Sequence, residues 1–298
     1  MAREVPRYVL ITGCSPGGIG FALAQEFAKK GFTIIATARS SAALDALQTC
    51  PFAESVIPFE LDVTSADSIS RLRRAVEALL ATAGGALAFL VNNAGMSYSM
   101  PALHLDDART AQVFETNTFG AMRMCTAFAP LMIASGRGGT IVQIGSVAGI
   151  VPYVFGSAYN ASKAALHAYS DTLRLELAPF GVAVVVACTG GVRSNISARP
   201  RSIPASPSFY PKAVREAFSA QRYSQAGGMS AERYAESLVR QLLARRGRGP
   251  RSGWIWEGGK AWAVWALHTF FPRLVMDVIF SRMYGLSKME RSRPIRGR

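Results

Sequence analysis

The sequence is poor in cysteine, poor in acidic residues, and without any long apolar run. Each absence narrows what the chain can be. Its four cysteines, Cys14, Cys50, Cys125 and Cys188, are widely spaced in 298 residues and form no C-x-x-C pair. That argues against a disulfide framework and against a structural zinc site. Cys125 and Cys188 stand in apolar runs and read as small buried side chains. The opening "MAREVPRYVLITG" passes straight into a strand-like run, so no signal peptide is expected. An intracellular, reducing setting follows, and the N-x-S matches at Asn160 and Asn195 read as chance. The charge-free stretch Ala261–Phe271 is too short to span about 30 Å of hydrocarbon.

Acidic residues number 19 against 33 lysines and arginines, a formal net charge of +14 at pH 7. Such an excess suits nucleic acid, an anionic membrane surface or an acidic ligand. Its distribution is uneven. Arg240, Arg245, Arg246, Arg248 and Arg251 cluster, and Lys288, Arg291, Arg293, Arg296 and Arg298 form a tail. No element interleaves basic and aromatic residues as a nucleic-acid module would, so no nucleic-acid partner is expected. There is no internal repeat, and no linker before about residue 190.

What is present is an alternation. Half of the chain is hydrophobic, enough for a sizeable core. Short apolar runs at 7–12, 32–38, 55–63, 87–95, 139–146 and 182–191 read as strands, continuously apolar as buried parallel strands are. Between them fall helical patterns. Ile19, Leu23 and Phe27 recur every four residues, followed by stretches at 69–81, roughly 107–134, and 157–180. Alternating β and α predicts an α/β fold, a single Rossmann-type doubly wound parallel sheet flanked by helices, with ligands at the carboxyl ends of the strands.

"TGCSPGGIG" (12–20) lies between the first strand and the first helix. Phosphate needs close backbone approach and free N–H groups at a helix N-terminus, and glycines permit both. The context is that of a dinucleotide loop, a flexible turn being the other reading. The second strand ends at Ala38-Arg39, where an NAD protein would carry an acid for the ribose. None is there. Arg39 suits the 2′-phosphate of NADPH, with Ser40 and Ser41 as further donors. A solvated end-of-strand charge is the alternative.

Ser146 follows the fifth strand, Tyr159 comes thirteen residues later, and Lys163 lies one helical turn beyond it. A carbonyl reduced by hydride needs a proton on its oxygen. Tyrosine is a poor acid–base group at neutral pH unless a cation is near, and a serine hydroxyl can hold the carbonyl oxygen. The pair Y-x-x-x-K alone is weak, since Tyr284 and Lys288 also match. Phe271 stands thirteen residues before Tyr284, with no glycine-ended strand, so Tyr284 is expected to be a tail aromatic.

With these pieces in place the chain resembles the short-chain dehydrogenase/reductase family. The resemblance rests on "TGCSPGGIG", "LDV" (61–63), "NNAG" (92–95), "TNTFG" (116–120), "GS" (145–146), "YNASK" (159–163) and "TGGVRS" (189–194). It implies that Ser146 positions the carbonyl, Tyr159 gives the proton, and Lys163 lowers the tyrosine's pKa and holds the nicotinamide ribose. Asn117 would support a water-linked proton relay. For the cofactor it implies Gly13, Ser15, Gly18, Ile19 and Gly20 at the loop, and Asp62 and Val63 at the adenine. Asn93 would lie near the adenosine ribose, Val192 and Ser194 at the nicotinamide amide, with Arg123 a further candidate. No metal is expected. Two departures stand out. The glycine loop is one residue longer than usual, with Gly17 or Pro16 as the insertion. Thr189-Gly190 replaces the usual Pro-Gly after the sixth strand.

Within the family, "NNAGMSYSMPAL" (92–103), "VPYVFGSAYNASKAALHAY" (151–169) and "TGGVRSNI" (189–196) are similar to fungal NADPH-dependent 1-acyldihydroxyacetone-phosphate reductases. This implies NADPH-dependent reduction of a ketone to an alcohol on a lipid-like substrate. A carbonyl reductase of a polyketide or terpenoid pathway is the first rival, and an idle NADP-binding regulator the second. The organisation expected is a catalytic domain over 1–252, with a substrate lid at about 195–225, and an aromatic, basic extension over 253–298. Just before the lid and within it, Arg193, Arg199 and Arg201 could pair a phosphate or carboxylate, or be solvated. The extension holds all four tryptophans and suits a helix lying in a membrane interface, a subunit contact or a pocket wall. The expected setting is the cytosol, or the cytoplasmic face of the endoplasmic reticulum or a lipid droplet, with a homo-oligomer as a further partner.

Overall fold

The computed structural model describes residues 5–50, 53–197, 210, 216, 228–245 and 253–289, without the side chains of Ser197 and Lys288. The strands are β1 (Arg7–Thr12), β2 (Thr33–Ala38), β3 (Val56–Glu60), β4 (Ala86–Asn92), β5 (Gly139–Ile144), β6 (Val182–Thr189) and β7 (Trp254–Glu257). They form one sheet in the order β3-β2-β1-β4-β5-β6-β7, every pairing parallel. The order reverses between β1 and β4, and a crevice opens at such a switch point, above the carboxyl ends of the strands.

Helices cover both faces, so successive strand residues are buried in opposite directions. Val9 and Ile11 of β1 join the core beneath α1 (Ile19–Lys29) and α7 (Ala231–Arg245), with Leu23, Phe27, Leu238 and Leu242. Tyr8 and Leu10 join the other core, under α3 (Ala66–Ala83) and α5 (Gly120–Ala134), with Leu72, Val76, Met124 and Phe128. Among the described residues, α2 (Asp45–Gln48), α4 (Asp107–Phe114), α6 (Ser157–Leu177), α8 (Ala261–Phe270) and α9 (Arg273–Met283) complete the named helices. Helix starts follow their caps. The Ser65 hydroxyl accepts from the Ser68 N–H at 3.2 Å at the head of α3, and the Asp106 carboxylate accepts from the Arg109 N–H at 2.8 Å at the head of α4. Gly84 ends α3 in the left-handed region with φ +61.

The cysteines are free thiols; burial pushes Cys14 and Cys188 up to about 12 and Cys125 up to about 11, so all three are protonated and inert.

Two sequence expectations need correction. The boundary at 252/253 falls just before a strand of the main sheet. "WIWE" is β7, paired with Val186–Thr189 of β6, and Ile255 lies in the core under α7. Its aromatic composition disguised an edge strand as the start of an extension. Tyr284, expected as a tail aromatic, is fully buried; its ring packs 5.8 Å from Tyr153, in a cluster with Phe155 and Phe280. The segment after β7 is therefore fastened to the loop that precedes α6. The tail 290–298, Arg199, Arg201, Arg246, Arg248, Arg251 and most of the lid lie outside the described residues.

Candidate active site

The glycine loop is shaped for close approach. Gly13 and Gly17 take φ +76 and φ +72, conformations that L side chains rarely adopt. Gly17 sits in the turn closed by the Gly18 N–H on the Ser15 carbonyl at 3.1 Å, which absorbs the extra residue of the loop. Ser15 is exposed on its crest. Gly20 is packed tightly; a Cβ there would stand 2.5 Å from both the Gly13 carbonyl oxygen and Asn93 Nδ2. Gly18 caps α1 without a side-chain bond, and no acid lies in the first turn from Ile19. Free N–H groups at a helix start with no competing carboxylate are what a diphosphate requires.

Around this loop the other predicted groups are distributed along the crevice. Arg39 is exposed at the end of β2, with no carboxylate at that strand end. The Asp62 carboxylate accepts from the Thr64 N–H at 2.9 Å and its hydroxyl at 2.8 Å, fixing the bend after β3. Val63 is buried against Gly120. Asn93 donates both Nδ2 hydrogens to the carbonyls of Thr12 and Gly13, at 2.8 and 3.0 Å, and so ties β4 to the glycine loop. Val192 is buried in a bridge to Met229, and Ser194 is half-buried beside it. Arg123 is turned to an ion pair with Glu115 at 2.8 Å, so its charge already has a partner in the protein. The glycine loop and the start of α1 fit a dinucleotide diphosphate.

Ser146, Tyr159 and Lys163 come together at the carboxyl end of β5. Lys163 is 4% exposed; its Nζ donates to the Ile144 carbonyl at 2.8 Å and lies 6.0 Å from the centre of the Tyr159 ring. Burial lowers its pKa from 10.5 to about 8. Ser146 Oγ accepts from the Ala148 N–H at 3.1 Å, which leaves its own O–H to donate. Tyr159 is half-buried at the start of α6.

Asn117 lies not on a regular helix but in a π-helical turn, Glu115–Phe119, between α4 and α5. Such turns recur at functional sites. Its Oδ1 accepts from the Met96 N–H at 2.8 Å, and its Nδ2 donates to the Met96 carbonyl at 2.9 Å and to Ser162 Oγ at 3.0 Å. Ser162 in turn donates to the Tyr159 carbonyl at 2.8 Å. The amide side chain thus locks the loop after β4 to α6.

Several neighbours were not anticipated from sequence. Ser162 is one; it lies between Tyr159 and Lys163 and could have been suspected from that position alone. Thr189 explains one departure from the family pattern. Its hydroxyl lies 2.7 Å from the Tyr234 hydroxyl, a buried pair that a proline at 189 would break. In the lid region, Asn195 Nδ2 donates to the Pro16 carbonyl at 2.6 Å and Ser97 Oγ to the Ile196 carbonyl at 2.9 Å, so the start of the segment crosses the crevice. Arg193 is exposed there.

Comparison with known proteins agrees with this geometry. A family model described as short chain dehydrogenase matches residues 7–203. A short-chain dehydrogenase of Neurospora crassa is 38% identical over 294 residues, covering 97% of this chain and 96% of the relative. A Schizosaccharomyces pombe protein named NADPH-dependent 1-acyldihydroxyacetone phosphate reductase is 40% identical over 268 residues, covering 86% of each. Among solved structures, a short-chain dehydrogenase from Streptomyces avermitilis aligns with TM-score 0.74 and 27% identity, covering 98% of this chain and 100% of that one. One from Burkholderia cenocepacia, solved with NADP, shares the fold with TM-score 0.69 and 21% identity, over 94% and 99%. The sheet, the glycine loop and the cluster at the end of β5 thus belong together: this chain is a member of the short-chain dehydrogenase family, an oxidoreductase on a Rossmann-type fold.

Proposed function

We propose that the protein uses NADPH to reduce the ketone of a lipid-like substrate to an alcohol, with 1-acyl-dihydroxyacetone phosphate as the first candidate. The observation that carries the reaction type is the grouping of Ser146, Tyr159 and the buried Lys163 at the end of β5. The dinucleotide, when bound, supplies the hydride. The Ser146 O–H donates to the carbonyl oxygen and holds it. Tyr159 passes its proton to the same oxygen as the negative charge develops, and the Lys163 ammonium, held by Ile144, stabilises the phenolate left behind. Asn117 and Ser162 keep the start of α6 in register with the loop after β4. Asn117, its amide held by Met96 and Ser162, would support a proton relay through water.

The glycine loop and α1 would take the diphosphate through the backbone of Gly13, Ser15, Gly18, Ile19 and Gly20. Arg39 would take the 2′-phosphate, Asp62 and Val63 the adenine, and Val192 and Ser194 the nicotinamide amide. The ribose role goes to Lys163, and Asn93 supports the loop. Arg123 is a poorer candidate given its pairing with Glu115. The lipid-like substrate is favoured by the Schizosaccharomyces pombe relative and by the apolar surface of the last two helices. A polyketide-like or terpenoid ketone is the second reading, since the Neurospora crassa relative, which covers more of the chain than the pombe reductase does, is named only as a short-chain dehydrogenase and so does not favour the lipid. NADPH oxidation with a panel of acyl-dihydroxyacetone phosphate, steroids, retinal and β-keto polyketides tests both. No turnover of the lipid beside rapid turnover of a polyketide would reverse their order.

No helix among the described residues is long and apolar enough to cross a membrane. The hairpin of α8 and α9 instead presents Trp262, Trp265, Phe270, Phe271, Leu274 and Val278 to the outside. Between Lys260 and Met283 the charged residues are Lys260, Arg273, Arg282 and one acid, Asp277. Apolar side chains bordered by cations fit one occupant best, the surface of an anionic bilayer. In this reading the catalytic unit runs through β7, and the hairpin seats it where a lipid ketone is presented.

A further inference from the structure

His167 lies behind the candidate site, on the same stripe of α6 as Tyr159 and Lys163, at four-residue spacing. It is buried, and its Nε2 accepts from the backbone N–H of Ser146 at 3.3 Å. A ring nitrogen that accepts carries no proton, so the hydrogen of the neutral ring is on Nδ1. Nδ1 is buried with no hydrogen-bond partner among the described residues. A buried N–H left unmade is a cost to the fold. The ring is therefore not explained by its own hydrogen bonding. Burial, and after it the charge of Lys163, lowers its pKa to about 3, so the acceptor nitrogen stays free of a proton at neutral pH.

The ring also fills the space on both sides of Ser146. A Cβ on Gly145 would run into Nε2, and a Cβ on Gly149 would stand 2.7 Å from Cε1. Glycine at both positions is what lets the imidazole sit against the loop. From behind, the Trp254 ring of β7 meets it edge-on, at 4.9 Å and 72°. Trp254 is itself held, its Nε1 donating to Asp171 Oδ1 at 3.0 Å. The serine is thus gripped at two points, its amide on His167 and its Oγ by the Ala148 N–H. Only the hydroxyl proton is left to be aimed.

We propose that His167 is a positioning residue for Ser146, clamping the loop 145–149 so that the serine hydroxyl is aimed at the reacting oxygen. This rests on the role given to Ser146 above. The test is a double-mutant cycle with NADPH and 1-acyl-dihydroxyacetone phosphate, or whichever ketone of the panel turns over. His167→Leu, which has no acceptor, should lower kcat about tenfold or more while NADPH affinity, read by nicotinamide fluorescence, stays within about twofold. His167→Gln, whose side-chain oxygen can accept, should regain most of the loss. In a Ser146→Ala background His167→Leu should cost less than about threefold, because the group it positions is gone. Equal losses in both backgrounds, or a glutamine variant as poor as leucine, would overturn the proposal. A Ser146→Ala enzyme of normal kcat would instead sink the reading of Ser146 itself. Should His167→Leu not fold, ring nitrogen NMR of the unaltered protein decides. His167 should remain neutral with an unprotonated Nε2 at about pH 6, and an imidazolium signal there refutes the clamp.

Discussion

Lys163 Nζ donates to the Ile144 carbonyl at 2.8 Å, a bond from α6 to the last residue of β5 that buries an ammonium beneath the candidate site. The bond orients the cation toward Tyr159, but burial works against the charge and lowers the pKa from 10.5 to about 8. The unfolded chain keeps that proton to about pH 10.5, so between about pH 8 and 10.5 it binds more protons than the fold, and this group's contribution to stability rises with pH there. Below about pH 8 the buried charge is a constant cost. Lys163→Met should therefore melt no lower than the unaltered protein at pH 7, while kcat falls by about two orders of magnitude or more. Reduction by the unaltered enzyme should decline above about pH 8 as the cation is lost. Melting curves and pH–rate profiles check both; a variant that melts several degrees lower would show that the ammonium stabilises the fold after all.

Tyr159→Phe removes the proton donor. The expected loss is about 10²-fold or more in kcat, with NADPH still bound. Near-normal turnover would end the mechanism. Tyr284 supplies the control, with a twist the structure adds. Tyr284→Phe should leave kcat near normal, but Tyr284→Ala empties a fully buried site against Tyr153 and should cost about 3–5 kcal/mol by chemical denaturation.

The sheet was legible because its signal is local. Six apolar runs and the helices between them follow from periodicity, and the parallel doubly wound sheet follows from their alternation, whereas the strand order that sets the switch point does not. The cluster of Ser146, Tyr159 and Lys163 was legible because two members share a helix and the third ends a strand. What escaped depends on contacts distant in sequence. β7 is short and carries two tryptophans, so nothing in "WIWE" distinguishes an edge strand from an interfacial helix until Val186 and Cys188 pair with it. Tyr284 acquires its burial from Tyr153, and Thr189 its partner from Tyr234, pairings that no spacing rule encodes. His167 stands at a readable four-residue interval from Lys163, yet only the approach of Gly145 and Gly149 gives that interval a meaning.

Arg39 decides the cofactor in the proposed reading. Arg39→Asp should weaken NADPH by about 1.5–3 kcal/mol, roughly one to two orders of magnitude, and spare or improve NADH. The exposed guanidinium sits at the end of β2, a strand that carries no acid of its own, with Glu60 of β3 paired to Ala38 beside it. Kinetics with both cofactors give the answer. An unaltered enzyme that prefers NADH would remove the claim at once.

The lengthened glycine loop makes a graded prediction. Gly20→Ala drives a methyl group into the Gly13 carbonyl and Asn93 Nδ2, both fixed parts of the loop, so NADPH binding should be lost or the protein should not fold. Gly17→Ala meets only the Asn195 amide at 3.5 Å, but keeps φ +72, a strain of about 1 kcal/mol. Its expected effect is a several-fold weaker NADPH affinity with an intact fold. Titration of NADPH fluorescence ranks the two, and a milder phenotype for Gly20→Ala than for Gly17→Ala would contradict the packing described for this loop.

The outward face of α8 and α9 gives the last prediction, that it holds the enzyme on an anionic membrane surface. Trp262 is 72% exposed and Trp265 43%, with Phe270, Phe271 and Leu274 beside them. Burying such side chains in the interface is an apolar effect and should resist salt. The cations of the hairpin, and Lys288, Arg291, Arg293, Arg296 and Arg298 further along the sequence, add about 1 kcal/mol each near anionic headgroups, and salt screens them. High salt should therefore weaken flotation with anionic vesicles without abolishing it, and deletion of 288–298 should mimic high salt. Trp262→Ala with Trp265→Ala should remove the salt-resistant remainder. A surface that meets a second subunit instead predicts that this double change alters oligomer size in light scattering and leaves flotation untouched. Unaltered protein that never floats with anionic vesicles at low salt would refute the membrane assignment, whatever its oligomeric state.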